Sequence, residues 1–516
     1  MFDSIDLQQA LCDIYDAGVD DDCLALLYDA NKEIHMSVKT PTGLTDRQIL
    51  TDIVLQGDTF GSILASVQVD TIGKECMKEG FGYLYKNILP VGFLGLVDDI
   101  IGITEAGIDA HKMNAFMNVK TAEKTLQFGQ TKCKSMLVGR NTENVINNEL
   151  VVDTWTVGYD AEDDIIESYS GQKAIGKTDQ YKYLGFMISN KGENMVNITQ
   201  MKQKSIRVIR NIFKKLNSLN LRKYYFECAL ILMNAVLRPT ILYASDMYYN
   251  LKESEVRQLE RIEEGYLRKV LKTTKGCPIV QIYLELGQAP AHFEIQKMRC
   301  LYLKYILSQD EDSLLFKFFK LQEEQSSKGD WVSTVLADLK ELRIEKSLDE
   351  IKQMSQYQFS NLLKLRSKEN ALKYLIGKQK TKGSEIKYSN LEMSEYLMPI
   401  NEILTIEQKQ KMFGVKNRMI EISENFPGKE ISDICCCGTA ETMLHIYNCE
   451  ILNKGKQSDL KYEEIFNGNI KDQIITFTQF EINLNTRENL KKVSKDELKP
   501  PCDLCDPLSC TVDSNG

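Results

Sequence analysis

The sequence predicts an α+β fold: an antiparallel sheet with packed helices, then a mostly helical region, then a Cys/His element with the form of a zinc site. Three observations predict it. Short apolar runs alternate with helical periodicity up to about residue 190. From about residue 191 the apolar spacing is that of helices almost without interruption. Of the 14 cysteines, half fall after Ile434, where one of only four histidines also lies. These features divide the chain into a mixed segment over 1–190, helical segments over 191–275 and 276–430, a Cys/His element over 431–455, and a tail over 456–516.

The elements follow in order. Leu7 to Tyr15 places Leu7, Leu11 and Ile14 on one helical face, with Gly18 just past its end. A second helix is expected from Cys23 to Ala30. Residues 34–40 (IHMSVKT) and 49–55 (ILTDIVL) read as strands around a PTGLTDR connection. Ser62 to Lys78 reads as a buried helix. Residues 91–104 (VGFLGLVDDIIGIT) are two apolar runs around an acidic pair, which predicts a β-hairpin with the acids at its turn. A helix over about 106–120 and strands in CKSMLVG, LVVDTWTVGY and YKYLGFMIS complete the first segment. About three helical segments fill Val196 to Leu271. Residues 300–425 are charged and mostly helical, and a Lys/Glu-rich linker is expected near 486–500.

Composition narrows the class. The chain has 516 residues, enough for two to four domains, and its 43 % hydrophobic content supports a sizeable core. Its net charge of −9 suits a nucleic-acid binder poorly unless a local basic surface exists, because phosphate binding needs cations to replace counterions. The best apolar run, Ile88 to Thr104, is broken by two aspartates and is too short to span a bilayer. The N-terminal MFDSIDLQQA lacks the basic and apolar regions of a secretory signal, so an intracellular, reducing location is expected, nuclear or cytoplasmic undecided. In that setting clustered cysteines point to metal rather than disulfides.

The tetrapeptide Asp-Asp-Ile-Ile occurs twice, at 98–101 and 163–166. The second copy sits in polar AEDDIIESYS and reads as a solvated loop. The first lies between apolar runs, where two carboxylates are costly unless a cation neutralises them. A divalent ion does so, because hard cations prefer carboxylate oxygens. Taken alone, the dipeptide fits an exposed hairpin turn as well.

Its surroundings add to it. Residues 53–70 (IVLQGDTFGSILASVQVD) place Gln-Gly-Asp between a strand and a helix. Downstream lie residues 126–139 (LQFGQTKCKSMLVG) and residues 181–189 (YKYLGFMIS). At the start stands MFDSI. In this order and spacing, residues 1–275 resemble the reverse transcriptases of non-LTR, LINE-type retrotransposons. Residues 126–139 are similar to the family's Lys-bearing turn and strand, and residues 181–189 to its primer-grip hairpin. The resemblance implies a polymerase palm over 1–190 and a helical thumb over 191–275. It also implies RNA-directed DNA polymerase activity with an RNA template, a DNA primer, deoxynucleoside triphosphates, and Mg2+ or Mn2+.

Position by position, the resemblance makes Asp98 a metal ligand and Asp99 its neighbour in the catalytic pair. Gln56 and Gly57 would lie against the template base and incoming nucleotide. Lys132 would be a general acid near the triphosphate. Phe2 would sit under the sugar, and Tyr183, Leu184 and Gly185 would hold the primer end. The chemistry suits these residue types, since in-line displacement on a phosphate by two metal ions needs carboxylates to hold both.

The sequence also departs from the family. The palm normally uses three aspartates, and the first lies five residues before the aromatic matched by Phe2, a position that would precede Met1. Asp3 and Asp6 follow Phe2 and are not replacements. Leu96 stands where Tyr or Phe is usual, and Thr-Phe-Gly-Ser follows Gln-Gly-Asp where Pro-Leu-Ser-Pro is usual. The resemblance therefore implies a palm truncated at its start and a chain inactive alone. The alternative is a non-catalytic nucleic-acid-binding remnant.

Between Asn194 and Phe226 there is no Asp or Glu, while Lys202, Lys204, Arg207, Arg210, Lys214, Lys215, Arg222 and Lys223 all occur there. Ile198, Met201, Ile209, Ile212 and Leu216 suit its apolar side. This looks like a thumb helix that tracks the nucleic-acid backbone.

Near the end, ICCCGTAETMLHIYNCE places Cys435, Cys437, His445 and Cys449 in a Cys-x-Cys-x7-His-x3-Cys pattern. Zinc favours such a tetrahedral sulfur and nitrogen set, and His-x3-Cys puts two ligands on one helical face. Cys-x-Cys is shorter than usual, so Cys436 is an alternative to a neighbour. The motif resembles the Cys/His element downstream of the thumb in many non-LTR reverse transcriptases, whose family role is nucleic-acid binding. Cys502, Cys505 and Cys510 form a weaker group in the tail, and His35, His111 and His292 read as ordinary histidines.

Overall fold

The computed structural model describes residues 5–51, 54, 60–105, 107–124, 126–129, 131–139, 150–159, 165–325, 329–380, 388–399, 402–422, 424–425, 431, 434–453 and 459–497. The chain divides into two compact units. One holds 1–200 and 310–321, and the other holds 201–309 and 322–516.

The first unit opens with α1 (Leu7–Asp16) and α2 (Asp21–Asn31). Asp6 and Asp20 cap them by accepting the Gln9 and Cys23 amides at 2.7 and 3.0 Å. Each such cap is worth about 1 kcal/mol. Leu7, Ala10 and Ile14 form the buried face of α1. Next comes a β-ribbon of β1 (Glu33–Met36), β2 (Lys39–Thr40), β3 (Gly43–Leu44) and β4 (Gln48–Thr51), with β1 antiparallel to β4 and β2 to β3. The first expected strand is thus split in two. Of the second, only residues up to Thr51 are described as strand.

Helix α3 (Gly61–Lys78) buries Leu64, Ala65, Ile72 and Cys76 in one core with Ile5, Leu7, Ile14, Val54, Met113 and Leu126. Two hairpins follow, β5 (Tyr83–Tyr85) with β6 (Leu89–Val91) and β7 (Phe93–Leu96) with β8 (Asp99–Gly102). Helix α4 (Gly107–Glu123) ends at Lys124, whose ammonium meets the buried Asp13 carboxylate at 2.7 and 2.9 Å and ties it to α1.

Next come β9 (Lys134–Ser135), β10 (Val151–Tyr159), β11 (Ile165–Ala174), β12 (Gly176–Lys177), β13 (Gln180–Tyr183) and β14 (Phe186–Ser189). β10 pairs with β11 and β13 with β14, both antiparallel, whereas β9 and β12 are parallel. Among the described residues every sheet is two-stranded, so the expected single sheet is a set of separate ribbons. The CKSMLVG strand shrinks to two residues. Of the second Asp-Asp-Ile-Ile, Asp163 and Asp164 lie outside the described residues, and from Ile165 on the chain is strand, not loop.

Two glycines set how the β7–β8 hairpin rests. A Cβ on Gly73 of α3 would lie 2.5 Å from the Phe93 ring, and one on Gly92 would lie 2.3 Å from the Phe81 carbonyl oxygen. The Gly92 carbonyl also accepts the Ile103 amide at 2.7 Å. Absence of a side chain is what permits this approach.

The long helix α5 (Asn194–Ser218) passes from the first unit into the second, the division falling after Gln200. The second unit continues with α6 (Tyr225–Leu232), α7 (Arg238–Ile241), α8 (Glu253–Val270), α9 (Ile279–Glu285) and α10 (Ala291–Leu307). Then come α11 (Leu314–Glu324), whose first part belongs to the first unit, α12 (Trp331–Glu341), α13 (Leu348–Gln353), α14 (Gln356–Lys380) and α15 (Ile406–Lys416). Within the second unit Arg299 of α10 grips the buried Asp338 of α12 at 2.6 and 2.9 Å, and Arg238 pairs with the buried Glu263 of α8 at 2.9 Å. The chain closes with α16 (Met443–Asn448), α17 (Glu450–Asn453), α18 (Glu464–Asn467) and α19 (Ile470–Glu497). The linker expected near 486–500 is corrected: up to Glu497 it is the end of α19. There Arg487 and Lys491 are partnered with Glu441.

Replacing Gly92 with Ala should destabilise the first unit by at least about 2 kcal/mol, because the new methyl meets backbone that cannot yield. Urea unfolding followed by circular dichroism reads this directly, and an unchanged midpoint contradicts the close approach.

Candidate functional site

Leu96 pairs with Asp99 across the β7–β8 ribbon, leaving Val97 and Asp98 as a two-residue turn. Val97 has φ +57°. A β-branched residue there is strained, because its side chain crowds the backbone, and glycine is the residue this turn favours. Such strain costs on the order of 1–3 kcal/mol. Asp98 and Asp99 are both exposed, as are Leu94 and Leu96 beside them. The expectation of carboxylates flanked by buried strands is therefore corrected. The ribbon is two-stranded and has an open face, so water reaches the acids.

The turn has neighbours that are remote in sequence. Burial and then the Asp99 carboxylate push the Tyr181 and Tyr183 phenols above their ordinary range, which puts both rings in the field of that acid. The Tyr181 hydroxyl donates to the Lys132 carbonyl at 3.3 Å. The Lys132 amide in turn donates to Gly129 at 2.9 Å, which closes the Lys-bearing turn and leaves the Lys132 side chain exposed. Tyr183 pairs with Phe186, so Leu184 and Gly185 form the β13–β14 turn, with φ +48° and +85°. Asp99, the Lys132 turn and the Tyr183–Gly185 hairpin are thus brought together.

Beside Val97 runs an open groove of about 410 Å³ lined also by Ser62, Ile63, Ser66, Val67 and Asp70 of α3. Sequence reasoning missed these lining residues, since helical spacing marks only the buried face of α3. Phe2, Gln56 and Gly57 lie outside the described residues, as do Cys502, Cys505 and Cys510.

The second site is the Cys/His cluster. A bridge between Ile434 and Ala440 closes a knuckle in which Thr439 accepts the Cys435 amide and Cys435 accepts the Gly438 amide, each at 2.8 Å. Gly438 has φ +84°, a left-handed conformation natural to glycine. Thr442 caps α16 by accepting the His445 amide at 3.0 Å. The ligand atoms of Cys435, Cys437, His445 and Cys449 all lie within 4.8 Å of one another. Cys435 and Cys449 are buried, with sulfurs 3.9 Å apart, and the Cys437 sulfur lies 3.1 Å from His445 Nε2. Zinc–sulfur bonds of about 2.3 Å in a tetrahedron put sulfurs about 3.8 Å apart, so the donor set fits a metal such as zinc. Hydrogen bonds with Thr439, first its side chain and then its backbone, pull the Cys437 thiol down to about 6, which favours the thiolate a metal takes. Burial pushes the Cys435 and Cys449 thiols up.

Two expectations are refined. Cys437, not the exposed Cys436, completes the set. His445 and Cys449 do not share a regular helical face, because α16 ends at Asn448 and Cys449 is extended.

The third feature is the basic face of α5. Ile198, Met201, Ile212 and Leu216 are buried and Ile209 is half-buried, as their spacing predicts. Lys202, Arg207, Arg210, Lys214 and Lys215 are exposed, and Lys204 is half-buried. Among the described residues none of these six has an ion-pair partner. No described helix is long and apolar enough to cross a membrane. His292 is held by Glu260 at 2.7 Å and His35 by Glu33 at 2.9 Å, in line with their reading as ordinary histidines.

Compared with known proteins, the chain matches no family model and no curated protein.

Two outcomes are expected. The Val97→Gly variant should gain about 1 kcal/mol in urea unfolding by relieving the turn, and a loss contradicts the strain. Elemental analysis of the purified chain should show one zinc per molecule, retained in Cys436→Ser and lost in Cys437→Ser or His445→Ala. Equal loss in Cys436→Ser contradicts the ligand assignment.

Proposed function

We propose that this chain is the palm-and-thumb part of an RNA-directed DNA polymerase resembling those of non-LTR retrotransposons, and that alone it holds a template–primer duplex without extending it. The observation that carries the reading is the convergence of Asp99, the Lys132 turn and the β13–β14 hairpin. The three segments lie far apart in the sequence, and the resemblance implies that they belong to one palm. The strained Val97 adds support, since backbone strain is kept where a turn serves function.

The chemistry follows from the residues. The primer 3′-hydroxyl attacks the α-phosphate, the new phosphorus–oxygen bond forms, and pyrophosphate leaves. Magnesium or manganese would supply activation of the hydroxyl and neutralisation of the leaving group. Asp98 and Asp99 would hold the ions from an exposed turn. Lys132 would give a proton to the leaving group. Tyr183, Leu184 and Gly185 would hold the primer end.

A two-metal site needs firmly fixed coordination, and the family's uses three carboxylates. Among the described residues no third metal-ligating side chain joins Asp98 and Asp99 within one ligand sphere. This favours binding over turnover for the chain as it stands. Unpartnered cations on α5 supply a sequence-independent grip on phosphates. The Cys/His module, loaded with zinc, would add a second nucleic-acid contact.

Gel-shift titration of a poly(rA)–oligo(dT) duplex should show retention at about 50 mM salt. Changing Lys202, Arg207, Arg210 and Lys214 together to Ala should flatten the log–log salt dependence by roughly three. No retention at low salt sinks the reading. Primer extension with magnesium or manganese should be absent. Extension that vanishes in Asp98→Ala overturns the non-catalytic part and establishes a complete site.

A further inference from the structure

Glu441 lies between the two halves of the Cys/His cluster. It follows Ala440, which closes the knuckle carrying Cys435 and Cys437, and precedes Thr442, which caps the helix carrying His445. Its carboxylate is fully buried. It accepts from Arg487 Nε at 2.5 Å, Arg487 Nη2 at 2.7 Å and Lys491 Nζ at 2.9 Å. Arg487 Nη2 also donates to the Glu421 carbonyl at 3.0 Å. Both cations come from α19. The same helix sends Asn483 Nδ2 to the Ile446 and Tyr447 carbonyls at 2.9 and 3.0 Å, satisfying the end of α16 just before Cys449. Thus α19 grips the cluster in front of His445 and again in front of Cys449.

Charge counting shows what the arrangement does. Three thiolates, a neutral imidazole and a divalent ion leave one net negative charge. Glu441 adds a second. Arg487 and Lys491 are the two cations that neutralise both, in a setting where an uncompensated charge is costly. Arg487 is held above its ordinary range mainly by its hydrogen bond to Glu441, and the Cys435 sulfur also contributes to the field it feels.

We propose that Arg487 and Lys491 are the charge-balancing residues of the metal centre, so that metal binding at Cys435, Cys437, His445 and Cys449 fastens the C-terminal helix Ile470–Glu497 onto the module. This rests on the reading of the cluster as a zinc site. Outer partners of this kind orient metal ligands and shift metal affinity by 10–100-fold when removed. Arg487 and Lys491 are positioning residues, since they reach the metal only through Glu441 and the electrostatic field.

The test uses the full chain and measures zinc affinity by competition with a chromophoric chelator. Arg487→Met should weaken zinc binding about 10–100-fold, and Arg487→Lys should weaken it less than Arg487→Met, because it keeps the charge while losing the two-pronged grip on Glu441. Glu441→Gln should not weaken binding, because it removes negative charge beside the thiolates. A merely structural role for the network predicts the reverse, with Arg487→Met and Glu441→Gln lowering affinity alike, and that result overturns the proposal. So does wild-type affinity in Arg487→Met. Should Arg487→Met fail to fold, Lys491→Met carries the same expectation at about threefold to tenfold, the Lys491 side chain itself being 36 % exposed and tolerant of change. Hydrogen exchange across 470–497 should lose protection when zinc is stripped, and unchanged protection also overturns the proposal. Absence of zinc in the wild-type chain sinks the metal reading itself, whereas zinc uptake indifferent to Arg487 sinks only this inference.

Discussion

The Phe93 ring of the β7–β8 hairpin lies so close to Gly73 of α3, and Gly92 so close to the Phe81 carbonyl just after that helix, that no Cβ fits at either glycine, and these contacts fix where Asp98 and Asp99 stand. The hairpin has only one partner strand and cannot be held by a wider sheet. Its position is therefore set by packing against α3, which sits in the core with α1 and α4. The buried Asp13–Lys124 pair secures α1 to the end of α4, and removing one partner of such a pair costs about 3–5 kcal/mol. From that frame the strained Val97 turn presents two carboxylates to solvent next to Tyr181, Tyr183 and the Lys132 turn. Rigid support under a strained, exposed tip is the arrangement in which strain persists at functional sites.

The Cys/His module works by a different physics. Its apolar residues Met443, Ile446, Tyr447 and Leu452 are buried, and its shape depends besides on the four donors and on what α19 supplies. Buried Glu441 is the point where these meet. An ion pair this deep is weak evidence for stability, because desolvation offsets its attraction. Its location between two ligand pairs gives it a specific role, since it couples the electrostatics of the cluster to the placement of the last long helix.

A net charge of −9 repels phosphates at long range. Charge acts locally, however, because the field of an exposed charge is screened beyond about 8 Å at physiological salt. The basic face of α5 carries exposed cations without acidic partners among the described residues. Elsewhere in the second unit some acids are held in buried pairs, such as Asp338 with Arg299 and Glu263 with Arg238. Net charge thus describes the whole chain and not the surface an anion would meet.

By itself the sequence determined the local elements. The helices at Leu7, Ser62 and Asn194, the hairpin at Asp98, and the ligands His445 and Cys449 with a thiolate knuckle at 435–437 were legible, because periodicity, turn chemistry and ligand spacing are short-range. Tertiary structure alone decided the rest. It exposed Asp98 and Asp99, which flanking apolar runs suggested were buried, since burial depends on how many strands and helices cover a hairpin. It brought Asp99 beside Tyr181 and Tyr183, and it chose Cys437 over Cys436. It turned an expected linker into helix, with Arg487 and Lys491 paired to Glu441. A charge in a sequence signals only a need for a partner. Whether water or a buried carboxylate meets that need is settled when distant segments pack together.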